Sequence, residues 1–209
     1  MRIYTADELP QHLPDGTPNP DWLALRAGKF SASDFHIMLG NSETKKKMIL
    51  EKATEHIIGK PCNKDRYVSA DMLRGIEFES TARELYMAET FNEVKQVGFI
   101  ERDEYSGASP DGLVGDDGII ECKCPTDTVF VEQSISGKIK PEYYTQIQFL
   151  LYITGREWCD YVAYNENFPL LIRRYERDDE YIEKIKIALD DGIEQVKKII
   201  SSFTGAQGV

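Results

Sequence analysis

The stretch GASPDGLVGDDGIIECKCP, Gly107–Pro125, decides the fold of this chain. Two short apolar segments flank GDDG, which is typical of a tight turn, so the stretch is predicted to form a β-hairpin. Alternate side chains of a strand point to the same face, which places Glu121 and Lys123 side by side. Asp111 lies on the paired strand, across the turn from Glu121. An acidic pair and a lysine are therefore expected at one place on the sheet.

Two interpretations of this acidic hairpin are open from the residues alone. Two carboxylates on adjacent strands can converge on a hard cation such as Mg²⁺ or Mn²⁺, and a lysine beside them can help activate a water. The alternative is a charged hairpin whose Glu121–Lys123 pair lies on a solvated face. Pro110 and Gly112 fix the backbone at Asp111. The apolar neighbours of Glu121 indicate a strand that enters the core, where unpaired charge is costly, and this favours a site.

The cysteines suggest a third interpretation, a thiolate metal site. Cys122 and Cys124 share the face opposite Glu121, but a zinc site needs a second pair, and Cys62 and Cys159 are isolated in the sequence. Buried packing is therefore predicted for Cys122 and Cys124. Without a segment of signal-peptide type, the four cysteines favour reduced thiols and a cytoplasmic location.

Composition limits the classes of function. The 209 residues are 41% apolar and 29% charged, which predicts a globular protein with a sizeable core. No apolar run approaches the roughly 20 residues of a membrane span. The net charge of −11 argues against a protein that coats nucleic acid, but not against a nuclease, because bound cations offset clustered carboxylates. Contacts with DNA are expected to be local.

The pattern along the chain predicts an α/β fold around one mixed sheet. A single domain over residues 1–209 is expected, with an N-terminal arm (1–20), a helical part (21–90), and a catalytic core with a C-terminal helix (91–203). The first helix is predicted to be capped by Asp21. In the long helix before the hairpin, Met72, Ile76, Leu85 and Met87 are predicted core positions.

In the hairpin, nine residues separate Pro110-Asp111 from Glu121-Cys122-Lys123. Four further segments contribute motif residues that are compared together with this one. The segments are LRAGKFSAS with Arg26 and Ser33, RGIEFESTAR with Glu79, ASPDG with Ser109, and YYTQIQFLLYITG with Tyr143 and Gln146. Together they resemble the lambda-type, YqaJ-like viral recombination exonucleases of the PD-(D/E)xK superfamily. The resemblance covers most of the chain. It implies a restriction-endonuclease-like core, a central mixed sheet flanked by helices.

The resemblance also implies roles for these residues. Asp111, Glu121 and the backbone carbonyl of Cys122 would hold a first metal ion. Glu79 would reach a second ion or its water shell. Lys123 would position or activate the attacking water. Without the motif, nothing distinguishes Glu79 from Glu77 and Glu84 on the same helix.

The remaining matched residues are expected to contact DNA. Gln146 would orient the water or the scissile phosphate. Arg26, Ser33 and Ser109 would form a pocket for a 5′-terminal phosphate, because arginine suits bidentate phosphate contact and hydroxyls add donors. Tyr143 would be a further DNA contact. Trp22 could either pack in the core or stack on a DNA end.

The function that the resemblance implies is a Mg²⁺-dependent 5′→3′ exonuclease, with Mn²⁺ able to substitute. It would digest one strand of linear duplex DNA and leave a 3′ overhang. The implied partners are duplex ends with a 5′-phosphate, two further copies in a homotrimeric ring, and a single-strand annealing protein. The alternatives are a site- or structure-specific endonuclease of the same fold, and a DNA-binding module without catalysis.

Overall fold

The computed structural model describes residues 1–40, 42–62 and 70–207 and folds them into helices packed against two sheets. The strands are β1 Arg2–Thr5, β2 Val94–Lys95, β3 Val97–Glu101, β4 Gly107–Ala108, β5 Gly112–Val114, β6 Gly118–Lys123, β7 Trp158–Ala163 and β8 Leu171–Glu176. The α-helices are α1 Pro20–Arg26, α2 Glu43–Ile58, α3 Ala70–Thr90, α4 Asp127–Ser136, α5 Pro141–Thr154 and α6 Asp179–Gln207. A 3₁₀ helix spans Ala32–Leu39. None of the helices within these residues is long and apolar enough to cross a membrane.

The larger sheet has the order β2-β5-β6-β7-β8 and is mixed. Strands β5 and β6 form the predicted antiparallel hairpin, and β6 runs parallel to β7. On one face, Ile119 of β6 and Tyr161 of β7 join a core cluster with α5. On the other face, Ile120 and Cys122 pack with Tyr86 of α3. The predicted α/β fold with a central mixed sheet between helices is confirmed.

A second sheet, with the order β1-β3-β4, was not expected from the sequence. In residues 93–102 (EVKQVGFIER), apolar and polar residues alternate, which predicts one strand, but the structure divides this segment between the two sheets as β2 and β3. The segment GASPDGLVG, the first strand of the predicted hairpin, is likewise divided as β4 and β5. The N-terminal arm supplies β1, which pairs with β3. The arm also approaches β3 so closely that a Cβ on Gly98 would lie 2.0 Å from the Leu9 carbonyl oxygen. The expected arm is thus part of the folded body.

Three of the four predicted core positions of α3 are wrong. Met72, Ile76 and Leu85 are 49%, 50% and 38% exposed, whereas Met87 packs against the cluster in which Ala82 and Tyr86 are completely buried. Ala82 is small and Tyr86 has a hydrogen-bonding partner, so this face of α3 can lie close to the sheet. The more apolar side chains of the helix then point outward. The predicted cap of α1 is also wrong: Asn19 caps the helix by accepting a hydrogen bond from the Asp21 N–H.

The predicted buried packing is confirmed for Cys122, whereas Cys124 is only partly buried. All four cysteines are free thiols, and Cys159 is also buried. Cys122 contributes to the cluster beneath α3, and Cys159 to the cluster beneath α5. The two therefore lie on opposite faces of the sheet, which excludes a joint thiolate site.

Candidate active site

The β5–β6 hairpin places Asp111 next to the strand that carries Glu121. Asp111 directly precedes β5, and its Oδ2 accepts a hydrogen bond of 2.6 Å from the backbone N–H of Cys122. Gly112 follows, and a Cβ there would lie 2.1 Å from the Val94 side chain, so glycine allows β2 to pack at this point. The carboxylate of Asp111 is therefore fixed by the backbone of the strand that it faces.

Glu121 is the most deeply buried acid of the site, with 2% of its surface exposed. Its Oε1 accepts hydrogen bonds of 2.5 Å from Lys123 Nζ and 2.5 Å from Gln146 Nε2. Its Oε2 is also buried and has no hydrogen-bond partner among residues 1–40, 42–62 and 70–207. Because a buried, unpaired oxygen is unfavourable, this atom would be stabilised by a bound cation or a hydrogen-bond donor.

Helix α3 brings Glu79 to the same place. Arg83, one turn further along the helix, donates from Nη1 to Glu79 Oε1 over 3.0 Å and to the Asp111 carbonyl oxygen over 2.9 Å. The structure therefore joins Glu79 to the hairpin through an arginine that the sequence did not assign to the site. Its spacing of four residues from Glu79 was the available signal.

The electrostatics of the site are dominated by the burial of its acidic groups and by the repulsion between them. Burial raises the pKa of Asp111 well above its usual range, and the charges of Glu121 and Glu79 raise it further. Burial also raises the pKa of Glu121, against the opposing effect of Lys123. Burial lowers the pKa of Lys123, but Glu121 and Asp111 outweigh it, so that the net pKa is raised. A cluster of acids with one ammonium group favours a further cation.

The donor atoms fit a hard divalent cation. Asp111 and Glu121 offer carboxylate oxygens, and the unpartnered Glu121 Oε2 is the atom that such an ion would satisfy. Within the described part of the chain, no three Asp, Glu, His or Cys side chains are grouped closely enough to hold a metal ion. The remaining ligands would therefore be a backbone carbonyl such as that of Cys122, water, or Glu79 acting through a bound water.

Tyr143 lies beside Lys123. The Lys123 Nζ is 5.2 Å from the centre of its ring, and Lys140 Nζ is 5.5 Å away. The ring also stacks on Tyr161 of β7 at 6.2 Å. Tyr143 is half-buried and places an aromatic surface between two ammonium groups at the edge of the site.

The three residues expected to bind a phosphate are less closely grouped. Arg26 stacks over the Trp22 ring at 4.1 Å, and its Nη2 is 3.3 Å from Ser31 Oγ. The Ser109 hydroxyl donates to the Gly98 carbonyl oxygen over 2.8 Å, as the Trp22 indole N–H does. Arg26 is therefore connected through Trp22 to β3, the same strand that Ser109 contacts at Gly98.

Ser33 lies apart from this link. It is exposed on the 3₁₀ helix, two residues beyond Ser31. Trp22 is half-buried, and its indole N–H attaches α1 to β3, which agrees with a packing role. The Arg26 guanidinium lies over one face of the Trp22 ring.

A model of the YqaJ-like viral recombinase domain matches residues 21–157, the range that contains every site residue predicted from the sequence. The chain belongs to this family. The resemblance inferred from the sequence is thereby confirmed. No curated protein matches the chain.

Solved structures agree with the family. An alkaline exonuclease from Laribacter hongkongensis is 34% identical, with a TM-score of 0.83 over 91% of this chain and 98% of the other. The same enzyme in complex with dAMP is equally similar. A phage-related exonuclease from Haemophilus somnus 129PT is 18% identical, with a TM-score of 0.64 over 84% of this chain and 96% of that one, and shares the fold.

Proposed function

We propose that this protein is a Mg²⁺-dependent exonuclease that digests one strand of linear duplex DNA from its 5′ end and leaves a 3′ overhang. The observation that carries the proposal is the partly buried cluster of Asp111, Glu121, Lys123 and Gln146, in which the buried Glu121 has one carboxylate oxygen without a hydrogen-bond partner among the described residues. The similarity to an alkaline exonuclease, also solved with dAMP, supports DNA as the substrate.

Each residue of the cluster has a task in phosphodiester hydrolysis. A divalent cation held by Asp111 and Glu121 would stabilise negative charge on the phosphate and lower the pKa of water. Lys123 carries an ammonium group that holds the attacking water or a phosphate oxygen, and its contact with Glu121 fixes its direction. The Gln146 amide, also bonded to Glu121, orients the same water. Glu79 adds a carboxylate on the α3 side.

The 5′→3′ direction depends on recognition of the terminal phosphate. Arg26 can present its guanidinium edge to a phosphate while Trp22 supports the flat face. Ser33 would add a hydroxyl donor from the 3₁₀ helix, and Ser109 would add another by exchanging its hydrogen bond to the Gly98 carbonyl for one to the phosphate. Recognition of the terminal phosphate in this way would restrict the start of digestion to an end.

The assembly proposed is a homotrimeric ring with duplex DNA passing through it, and a single-strand annealing protein receives the exposed strand. The net charge of −11 is compatible with DNA binding if basic residues are confined to the inner surface. The four free thiols are consistent with the reducing cytoplasm.

The test uses a linear duplex with a 5′-phosphate on one strand and separate labels at the 5′ and 3′ ends of that strand. With Mg²⁺, we expect early release of the 5′ label, late release of the 3′ label, and no cleavage of a covalently closed circle. Asp111→Ala and Glu79→Gln should lose activity by a factor of at least about 100. Glu77→Gln is the matched control, because Glu77 is exposed on the same helix.

Three results would contradict the proposal. Early release of the 3′ label would reverse the polarity. Cleavage of the closed circle would favour an endonuclease. Full activity of Asp111→Ala would exclude the site itself.

A further inference from the structure

Arg83 connects three parts of the molecule at the edge of the acidic cluster. It is 8% exposed, although it carries a charge and lies on a helix. Its Nη1 contacts the Glu79 carboxylate and the Asp111 carbonyl oxygen. With the Gln96 amide in its hydrogen-bonding orientation, the amide oxygen accepts from Arg83 Nη2 over 2.6 Å and from Nε over 3.3 Å. Helix α3, the start of β5 and the β2–β3 connection thus meet at one guanidinium.

These contacts fix Asp111 from two sides. Arg83 holds its carbonyl oxygen, and the N–H of Cys122 holds its carboxylate. Together they leave the Asp111 backbone and side chain little freedom to rotate. Because the same Arg83 nitrogen also contacts Glu79, it sets the distance between α3 and the hairpin.

We propose that Arg83 is a positioning residue that holds Asp111 and Glu79 at the separation needed to bind a divalent cation. The inference rests on the proposed function, since it concerns the same site. Arg83 acts through the two acids and does not contact the substrate. Binding of an ion between fixed carboxylates avoids the entropy cost of ordering them, so loss of Arg83 weakens the ion before it affects any later step.

Arginine suits this position and lysine does not replace it. Three nitrogens in one plane reach the Asp111 carbonyl, the Glu79 carboxylate and the Gln96 amide at once. A lysine ammonium is a single point on a flexible stem and cannot hold all three in one geometry. Arg83→Lys therefore keeps the charge but removes part of the geometric constraint.

The experiment measures Mn²⁺ affinity by isothermal titration calorimetry, with chelator-treated full-length protein and no DNA. We expect Arg83→Met to weaken Mn²⁺ binding by about 10- to 100-fold, the usual effect of losing a partner of a metal ligand. Arg83→Lys should recover part of this loss. Gln96→Ala, which leaves both acids intact, should cause a smaller decrease in the same direction.

Arg156→Met is the matched control. Arg156 Nη1 donates to the carbonyl oxygens of Val114, Gly115 and Gly118, at the turn end of the same hairpin. Its loss should lower the melting temperature while leaving Mn²⁺ affinity unchanged. This separates a general loss of hairpin stability from a specific effect on the site.

Unchanged Mn²⁺ affinity in Arg83→Met, or in both Arg83→Lys and Gln96→Ala, would overturn the inference, and so would equal weakening in Arg156→Met. Absence of Mn²⁺ binding by the wild-type protein would also overturn it. Wild-type protein that binds Mn²⁺ in an Arg83-dependent manner but does not digest DNA would support the inference and contradict only the proposed function.

Discussion

The function proposed for Asp111 and Glu121 comes with a cost in stability. Glu121 is buried and Asp111 is partly buried beside it, and desolvation together with the charge of Glu121 raises the pKa of Asp111. A fold that keeps such a pair without a cation is less stable than the same fold with one charge removed. Stability and activity should therefore change in opposite directions at this position.

Asp111→Asn tests this relation. The amide oxygen can still accept the hydrogen bond from the Cys122 N–H, and the backbone contact with Arg83 is retained. In the presence of a chelator, we expect a melting temperature equal to or above that of the wild type, together with loss of Mn²⁺ binding. Thermal denaturation monitored by circular dichroism measures the first effect. A melting temperature several degrees lower without metal would contradict it.

The sequence identified the hairpin part of the site more fully than the helical part. Asp111, Glu121 and Lys123 are close in sequence, so strand periodicity and one turn are enough to place them together. Arg83 contacts the carbonyl of a residue 28 positions away, and periodicity contains no information about that distance. Only the motif distinguished Glu79 from its neighbours. The Arg26–Ser31 contact was missed because matched motif positions indicate Ser33 instead.

Helix α3 is held on the sheet by a buried polar contact. The Tyr86 hydroxyl donates to Asp160 Oδ2 over 2.7 Å, and Arg174 of β8 makes two hydrogen bonds of 2.9 Å to the same carboxylate. Burial and the bond to Asp160 raise the pKa of Tyr86 to about 12, so the hydroxyl stays protonated and remains a donor. Because α3 carries Glu79, this contact also affects the site.

Tyr86→Phe should destabilise the protein by about 1.5–3 kcal/mol, the usual value for a hydrogen bond to a charged group. Urea denaturation monitored by circular dichroism provides the free energy of unfolding. Tyr175→Phe is a suitable control, because the hydroxyl of Tyr175 makes no hydrogen bond within the described ranges. Equal effects of the two substitutions would contradict a specific role for Tyr86.

Helix α2 contributes a pH-dependent contact. The His56 ring packs 4.7 Å from that of Tyr105, and it covers Gly28, where an added Cβ would lie 2.6 Å from the imidazole. Burial lowers the pKa of His56; Glu104 opposes this and Lys29 adds to it. Below the unfolded pKa of about 6.5, the unfolded chain binds more protons than the folded one, so stability falls as the pH falls.

His56→Phe should reduce this pH dependence. Phenylalanine keeps a ring against Tyr105 and removes the buried Nε2, which has no partner among the described residues. Between about pH 7.5 and about pH 5.5, the loss in unfolding free energy should be smaller than in the wild type. Above about pH 7, His56 should add no further pH dependence. Parallel curves for the two proteins would exclude His56 as a source.

The elements were predicted better than their arrangement. Local signals in the sequence are enough for these elements: Gly59 and Gly155 follow α2 and α5 in the left-handed conformation, Pro141 begins α5, and GDDG marks the turn of the hairpin. The division of two predicted strands between two sheets depends on pairing with β1, about 95 residues earlier. The outward face of α3 likewise depends on the sheet beneath it. Neither is encoded in local periodicity.

For the whole molecule, the proposed homotrimeric ring predicts the molar mass of the assembly in solution. Light scattering coupled to size-exclusion chromatography should give three times the chain mass of 23.9 kDa at micromolar concentration. The mass should not change on addition of chelator, because the acidic cluster lies within one chain. A monomer mass at every concentration would contradict the ring.

The bridge that Arg83 forms between α3 and the hairpin has a consequence for folding kinetics. The hairpin can form from neighbouring residues, whereas Glu79 reaches it only after a helix separated by some 30 residues has docked. A cation that depends on both Asp111 of the hairpin and Glu79 of α3 can bind fully only after α3 has docked, which is late in folding. If α3 docks after the transition state, such an ion should leave the folding rate nearly unchanged and slow unfolding, because the interaction that it strengthens forms late. Metal would thus extend the lifetime of the folded protein more than it hastens its formation.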